Sequence, residues 1–141
     1  MKYLPIVLTA VLTMFATSII AEERYLCETT TAGGIGYETT TEEWVGQRFI
    51  ANAKYIISEP NPEHTWEKSA FVITEVGDNF PSGFCAEPFN SGGYLSCDMI
   101  GDFLFNKNTL RFISVYMHGY LDGVENNDNN PHVAIGVCSP F

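Results

Sequence analysis

The chain is short of positive charge: 7 Lys and Arg stand against 17 Asp and Glu in 141 residues, a formal net charge of −10. A surface of that sign repels phosphate backbones and anionic headgroups, which argues against nucleic-acid and peripheral membrane binding. Histidine is scarce too. His64, His118 and His132 form no His-x-His or His-x-x-x-His pair, so spacing assigns no metal site. Long helical periods are absent, which excludes a helical bundle. No Gly-x-Ser-x-Gly elbow marks an activated serine, and Gly33-Gly34-Ile35-Gly36 lacks the Lys-Ser/Thr of a phosphate loop. No residue is therefore assigned a catalytic role, no cofactor is expected, and the balance leans away from an enzyme.

What is present starts at the N-terminus. Lys2 precedes an uncharged run over residues 4–20 that is diluted by Pro5, Thr9, Thr13, Thr17 and Ser18. That run is shorter and more polar than the roughly 20 apolar residues of a membrane span, and it has the layout of a signal peptide. Cleavage is expected after Ala21, leaving residues 22–141 as one domain, periplasmic or secreted, with no membrane attachment. Loss of Lys2 leaves six basic side chains against the seventeen acidic ones, a charge of −11.

Four cysteines in an exported chain read as two disulfides, since none is left over and none forms a Cys-x-x-Cys pair. Cys85 and Cys97 flank the turn signals Asn90-Ser91-Gly92-Gly93. Cys27 and Cys138 sit in the first and last strand candidates, which become neighbours only if a sheet closes on itself. The expected pairs are Cys85 with Cys97 and Cys27 with Cys138.

Thr, Tyr, Phe, Val and Ile dominate the segments between clusters of Gly, Pro, Asn and Asp, as in short antiparallel strands. Candidate strands cover residues 24–31, 35–39, 48–58, 70–76, 83–87, 94–99, 102–106, 110–121 and 132–138, with Gly33-Gly34 read as a turn. Segments 102–106 and 110–121 form the clearest hairpin. In its second arm Ile113, Val115, Met117 and Leu121 make one face, read as a core stripe. Leu110, Phe112, Ser114, Tyr116, His118 and Tyr120 make the other, suited to a cavity wall or to solvent. A helical turn is expected over 40–46 and another over 61–68. The fold class is all-β: a small antiparallel up-and-down barrel or strongly curved sheet, with a β-sandwich as the alternative.

Cys27, Gly34-x-Gly36-Tyr37, Trp44, Lys54-Tyr55-Ile56-Ile57, Cys85, Leu95-Ser96-Cys97, Phe105-Asn106, Leu110-Arg111-Phe112, Gly119-Tyr120 and Ile135-Gly136-Val137-Cys138-Ser139 together resemble a family of small exported bacterial proteins. That family has no known activity, so the resemblance implies no catalytic residue. The run from Asp122 to Asn130 is rich in oxygen donors, but it lacks the Gly and Glu of a Ca²⁺ loop and reads as turn chemistry. Binding candidates are the large amphipathic side chains Trp44, Trp66, Tyr94, Tyr116 and Tyr120, together with His118. The leading expectation is a non-enzymatic module that binds a small apolar ligand or a protein. The rival expectations are an inhibitor of a basic enzyme such as lysozyme, steered by charge, and an enzyme assembled around His118.

Overall fold

A computed structural model describes residues 22–62 and 68–141. The expected leader, most of the expected turn over 61–68, His64 and Trp66 lie outside the described residues. The described chain is almost entirely strand: β1 (Tyr25–Glu38), β2 (Glu43–Phe49), β3 (Lys54–Ser58), β4 (Phe71–Glu75), β5 (Gly83–Cys85), β6 (Tyr94–Met99), β7 (Gly101–Asn106), β8 (Arg111–Tyr116) and β9 (His132–Pro140). All pairings are antiparallel and run in chain order from β3 to β9. β1 pairs β3 on one edge and β9 on the other, so eight strands close into an up-and-down barrel. This is the barrel form of the expected fold, and the sandwich is set aside.

β1 is twice the usual strand length because it serves two structures. Residues 25–28 pair with β3 within the barrel, residues 32–38 pair with β2, and of these 35–38 run on past the last β9 partner, His132 opposite Gly34. β2 and β3 thus lie end to end along one edge of β1, broken over residues 50–53. Two readings are corrected here. Gly33-Gly34 is no turn but mid-strand, and a Cβ on Gly34 would stand 2.1 Å from the Pro131 carbonyl oxygen, so glycine lets β1 and β9 meet. The expected helical turn over 40–46 is instead the β1–β2 turn and the start of β2.

A bulge at Thr30, between the Thr29–Gly136 and Thr31–Ile135 pairs, shifts which side chains of β1 point inward. Tyr25, Cys27 and Thr29 precede it on the inside and Ala32 follows. The β7–β8 hairpin forms as expected, with Asn106 opposite Arg111 and a Leu110 N–H to Asn106 carbonyl hydrogen bond of 2.8 Å. Its second arm, however, ends at Tyr116, and the chain then enters a 3-10 turn at Gly119–Asp122. The facing is also opposite to the core-stripe expectation. Phe112 is buried, whereas Ile113 is 36% and Leu121 76% exposed. Ile113 fails as a core residue because Leu104, Val133, Ile135 and Val137 give this side of the barrel an apolar exterior, so apolarity alone does not mark the inside.

Both expected disulfides form. Cys27 and Cys138 are directly opposite across the closing β1–β9 seam, and Cys85–Cys97 spans the β5–β6 pair, whose register comprises only Phe84 with Asp98. All four sulfurs are buried among Tyr25, Ile57, Phe71, Ile73, Leu95, Phe103, Phe105 and Phe112. Phe103 stacks on Phe112 at 5.0 Å, and Phe89 plugs this end against Phe71 at 5.1 Å. Lys107 lies 4.5 Å over the Phe89 ring and pairs with Glu23 at 3.1 Å. The Tyr25 hydroxyl donates to the same carboxylate at 2.6 Å. Burial opposes the charge on Glu23, but these donors prevail and hold its carboxyl below the usual carboxylate range.

Candidate functional site

Inward side chains are small in the layer below the rim where β1 overshoots the barrel, and Tyr116 and His132 stand above that layer. On β8 the order is Phe112, Ser114, Tyr116; on β9 it is Cys138, Gly136, Ala134, His132; on β1, Cys27 gives way to Thr29 and Ala32. Small residues on adjacent strands cannot fill the barrel, and a cavity of about 570 Å³ remains. Its floor is Tyr55, whose ring meets Phe103 at 5.8 Å and Phe112 at 6.0 Å and so divides the cavity from the packed end. Burial, and secondarily the Glu75 carboxylate, push the Tyr55 hydroxyl above its ordinary range, so it stays a neutral phenol.

Aromatic walls rise from that floor. The His132 ring stands 5.5 Å from Tyr116 and 5.9 Å from Phe49, and all three line the cavity. His132 Nδ1 lies 2.8 Å from the Asn130 carbonyl oxygen, which can only accept. Neutral His132 therefore carries its proton on Nδ1, leaving Nε2 as an acceptor. The Tyr116 hydroxyl donates to Asn129 Oδ1, and Asn129 Nδ2 donates to Asp122 at 2.8 Å. Two further wall residues, Thr29 and Asn130, each hold an oxygen, Oγ1 and Oδ1, that is buried and has no hydrogen-bond partner in the protein. Buried polar atoms of that kind are uncommon in folded chains, and both belong to residues that line one cavity.

The asparagine-rich segment after β8 is fastened over the rim. The Asn127 amide copies a strand, accepting from the Tyr37 N–H at 2.9 Å and donating to the Tyr37 carbonyl at 2.5 Å. Asn130 Nδ2 donates to both Asn127 oxygens at 3.3 Å, which fixes Asn130 Oδ1 as the free acceptor. Trp44 lies 5.5 Å from Tyr37 and 5.3 Å from Tyr120, clipping the β1–β2 hairpin to the 3-10 turn. Gly119 allows that turn to sit close, since a Cβ there would be 1.4 Å from the Asn129 carbonyl oxygen.

The sequence candidates are thus dispersed. Tyr116 is on the cavity wall; Trp44 and Tyr120 form the clip; His118 is exposed at the end of β8 with its ring 5.8 Å from Tyr116. Tyr94, 54% exposed, is on the outer wall beside Leu104 and Ile113. The strand face read as a possible cavity wall supplies Ser114 and Tyr116, but sequence reasoning missed Thr29, Ala32, Phe49, Tyr55 and Asn130 as wall residues, and it weighed His132 only as a metal ligand. Among the described residues no three His, Cys, Asp or Glu side chains are grouped to hold a metal ion. Compared with known proteins, the chain matches no family model, no curated protein and no solved structure.

Proposed function

We propose that this protein is a non-enzymatic small-molecule-binding barrel, exported through a cleaved leader into an oxidising space, with the rim cavity as its binding site. One observation carries the reading: a cavity walled by Tyr55, Tyr116, Phe49 and His132 is lined also by Thr29 and Asn130, each of which holds a buried side-chain oxygen with no hydrogen-bond partner in the protein. A volume of about 570 Å³ falls in the range of small-ligand sites, and a few polar groups on a mainly apolar wall are how such sites orient a guest. Export is supported by the leader pattern over residues 1–21 and by the two disulfides, which persist in oxidising compartments. Membership of a family of small exported bacterial proteins belongs to the same proposal.

Native mass spectrometry of the secreted or periplasmic protein tests it directly. The expected result is a chain starting at Glu22, lacking free thiols and retaining a small-molecule mass that Ser114→Phe, which fills the cavity, removes. A protein that carries no mass and gains no melting temperature from any anionic, neutral or cationic small molecule would overturn the binding reading.

A further inference from the structure

The cavity is lined by free acceptors and one carboxylate but by no cationic side chain. Asn130 Oδ1 is an acceptor whose amide nitrogen is already engaged, and His132 Nε2 is an acceptor because Nδ1 holds the proton. The Tyr116 hydroxyl has spent its hydrogen on Asn129, so only lone pairs remain to it. At the rim the exposed Asp128 carboxylate lines the same cavity and makes no ion pair among the described residues. Against these, Thr29, Ser114, Asn52 and the neutral Tyr55 hydroxyl have donors to offer, and none of the lining residues is Lys or Arg. An anionic guest would enter a chain of net charge −10 and find no cation to meet it.

We infer that the natural ligand is an organic amine: a protonated nitrogen attached to a flat or aliphatic apolar body. The inference rests on the small-molecule reading of the cavity and names its guest. An ammonium brings several N–H donors and a positive charge, matching the lone pairs of Tyr116 and His132 in hydrogen-bond direction and Asp128 in sign. The rings of Tyr116, Phe49 and Tyr55 add apolar surface and π-faces that attract a cation. A carboxylate of the same shape reverses both matches, because acceptor meets acceptor and charge meets like charge. Orphaned acceptors reject such a guest more strongly than any missing methylene would.

Three probes of one shape separate the possibilities: 2-phenylethylamine, 2-phenylethanol and 3-phenylpropanoate, titrated calorimetrically into the mature disulfide-bonded protein, with melting temperature as a second readout. The amine is expected to bind most tightly and the carboxylate at least about tenfold more weakly, the scale of one hydrogen bond to a charged group. Asp128→Asn, at an exposed position with no bonded carboxylate oxygen, should cost the amine about tenfold and leave the alcohol unchanged. An unaltered melting temperature of the free variant excludes a folding defect. Alcohol or carboxylate binding as tight as the amine, or an amine affinity untouched by Asp128→Asn, would overturn the inference while sparing the small-molecule reading. Failure of all three probes together with the wider panel of the preceding test would remove both.

Discussion

The two ends of the barrel interior share their strands but not their side chains, and the difference separates holding the fold from offering a site. At the packed end Phe103, Phe105, Phe112, Tyr25 and both disulfides fill the space between the walls. At the rim end the same strands carry Thr29, Ala32, Ser114 and Ala134, which are too small to meet across it. Packed aromatic and sulfur surface stabilises the closed barrel, so the rim is free to keep unpaired polar atoms that a core would not tolerate. A stable half is what permits an unfilled one.

Four variants test that division, in falling order of expected effect on stability. Replacing Cys27 and Cys138 together by Ala removes the link across the closing seam, whose cysteines are 111 positions apart. In the chain-entropy view this costs about 4.7 kcal/mol, read as a lower urea midpoint. A loss below about 1 kcal/mol would show that hydrogen bonding alone closes the barrel. Gly136→Ala comes next. Its added carbon would stand 2.1 Å from the Glu28 carbonyl oxygen and 2.4 Å from the Phe112 ring, and overpacking of this kind costs about 1–3 kcal/mol.

Asn127→Ala should follow, at about 1 kcal/mol, because it strips the Tyr37 backbone of its two partners above the rim. Faster amide exchange at Tyr37, with no change at Phe103 or Phe105, is the expected signature. Slowest exchange at Tyr37 would mean that the rim is no looser than the core. Ser114→Phe should have the smallest effect, within about 1 kcal/mol of the parent, although it adds a whole ring where Gly136→Ala adds one carbon. Thermal melts of Gly136→Ala and Ser114→Phe, measured side by side, are the sharpest comparison. Were the bulky change at residue 114 the costlier one, the rim end would be as tightly packed as the other.

Much of this was legible in the sequence. Even cysteine number, turn clusters and β-branched segments lead to a closed antiparallel sheet with both disulfides paired as expected. The inside of the sheet was harder to read, for a physical reason. Ile113, Ile135, Val133 and Val137 project outward on adjacent strands, so periodicity finds alternation but apolarity misassigns its sense. Cysteine parity carries the missing signal. Cys138 must face its partner inside, which puts Gly136, Ala134 and His132 inside with it, and antiparallel pairing then places Phe112, Ser114 and Tyr116 opposite them.

Beyond the Ser114 and Tyr116 face, the cavity was illegible for a related reason. It is made by what small residues fail to occupy, whereas a search for binding residues favours large amphipathic ones. That search finds Tyr116 on the wall, but it also collects Tyr94 on the outside and Trp44 and Tyr120 in the clip. Glycine was misread in the same way. Gly33-Gly34 suggests a turn until β9 is known to lie against it, because close approach and chain reversal call for the same residue.

The Cys27–Cys138 bond also makes nearly the whole described chain a covalent ring. A protease that nicks an exposed segment within that ring, such as the stretch between Met117 and Pro131, releases nothing: the two pieces stay tethered through sulfur. Cleavage there would unfasten the rim without dismantling the barrel, and only a reductant would then let the fragments part.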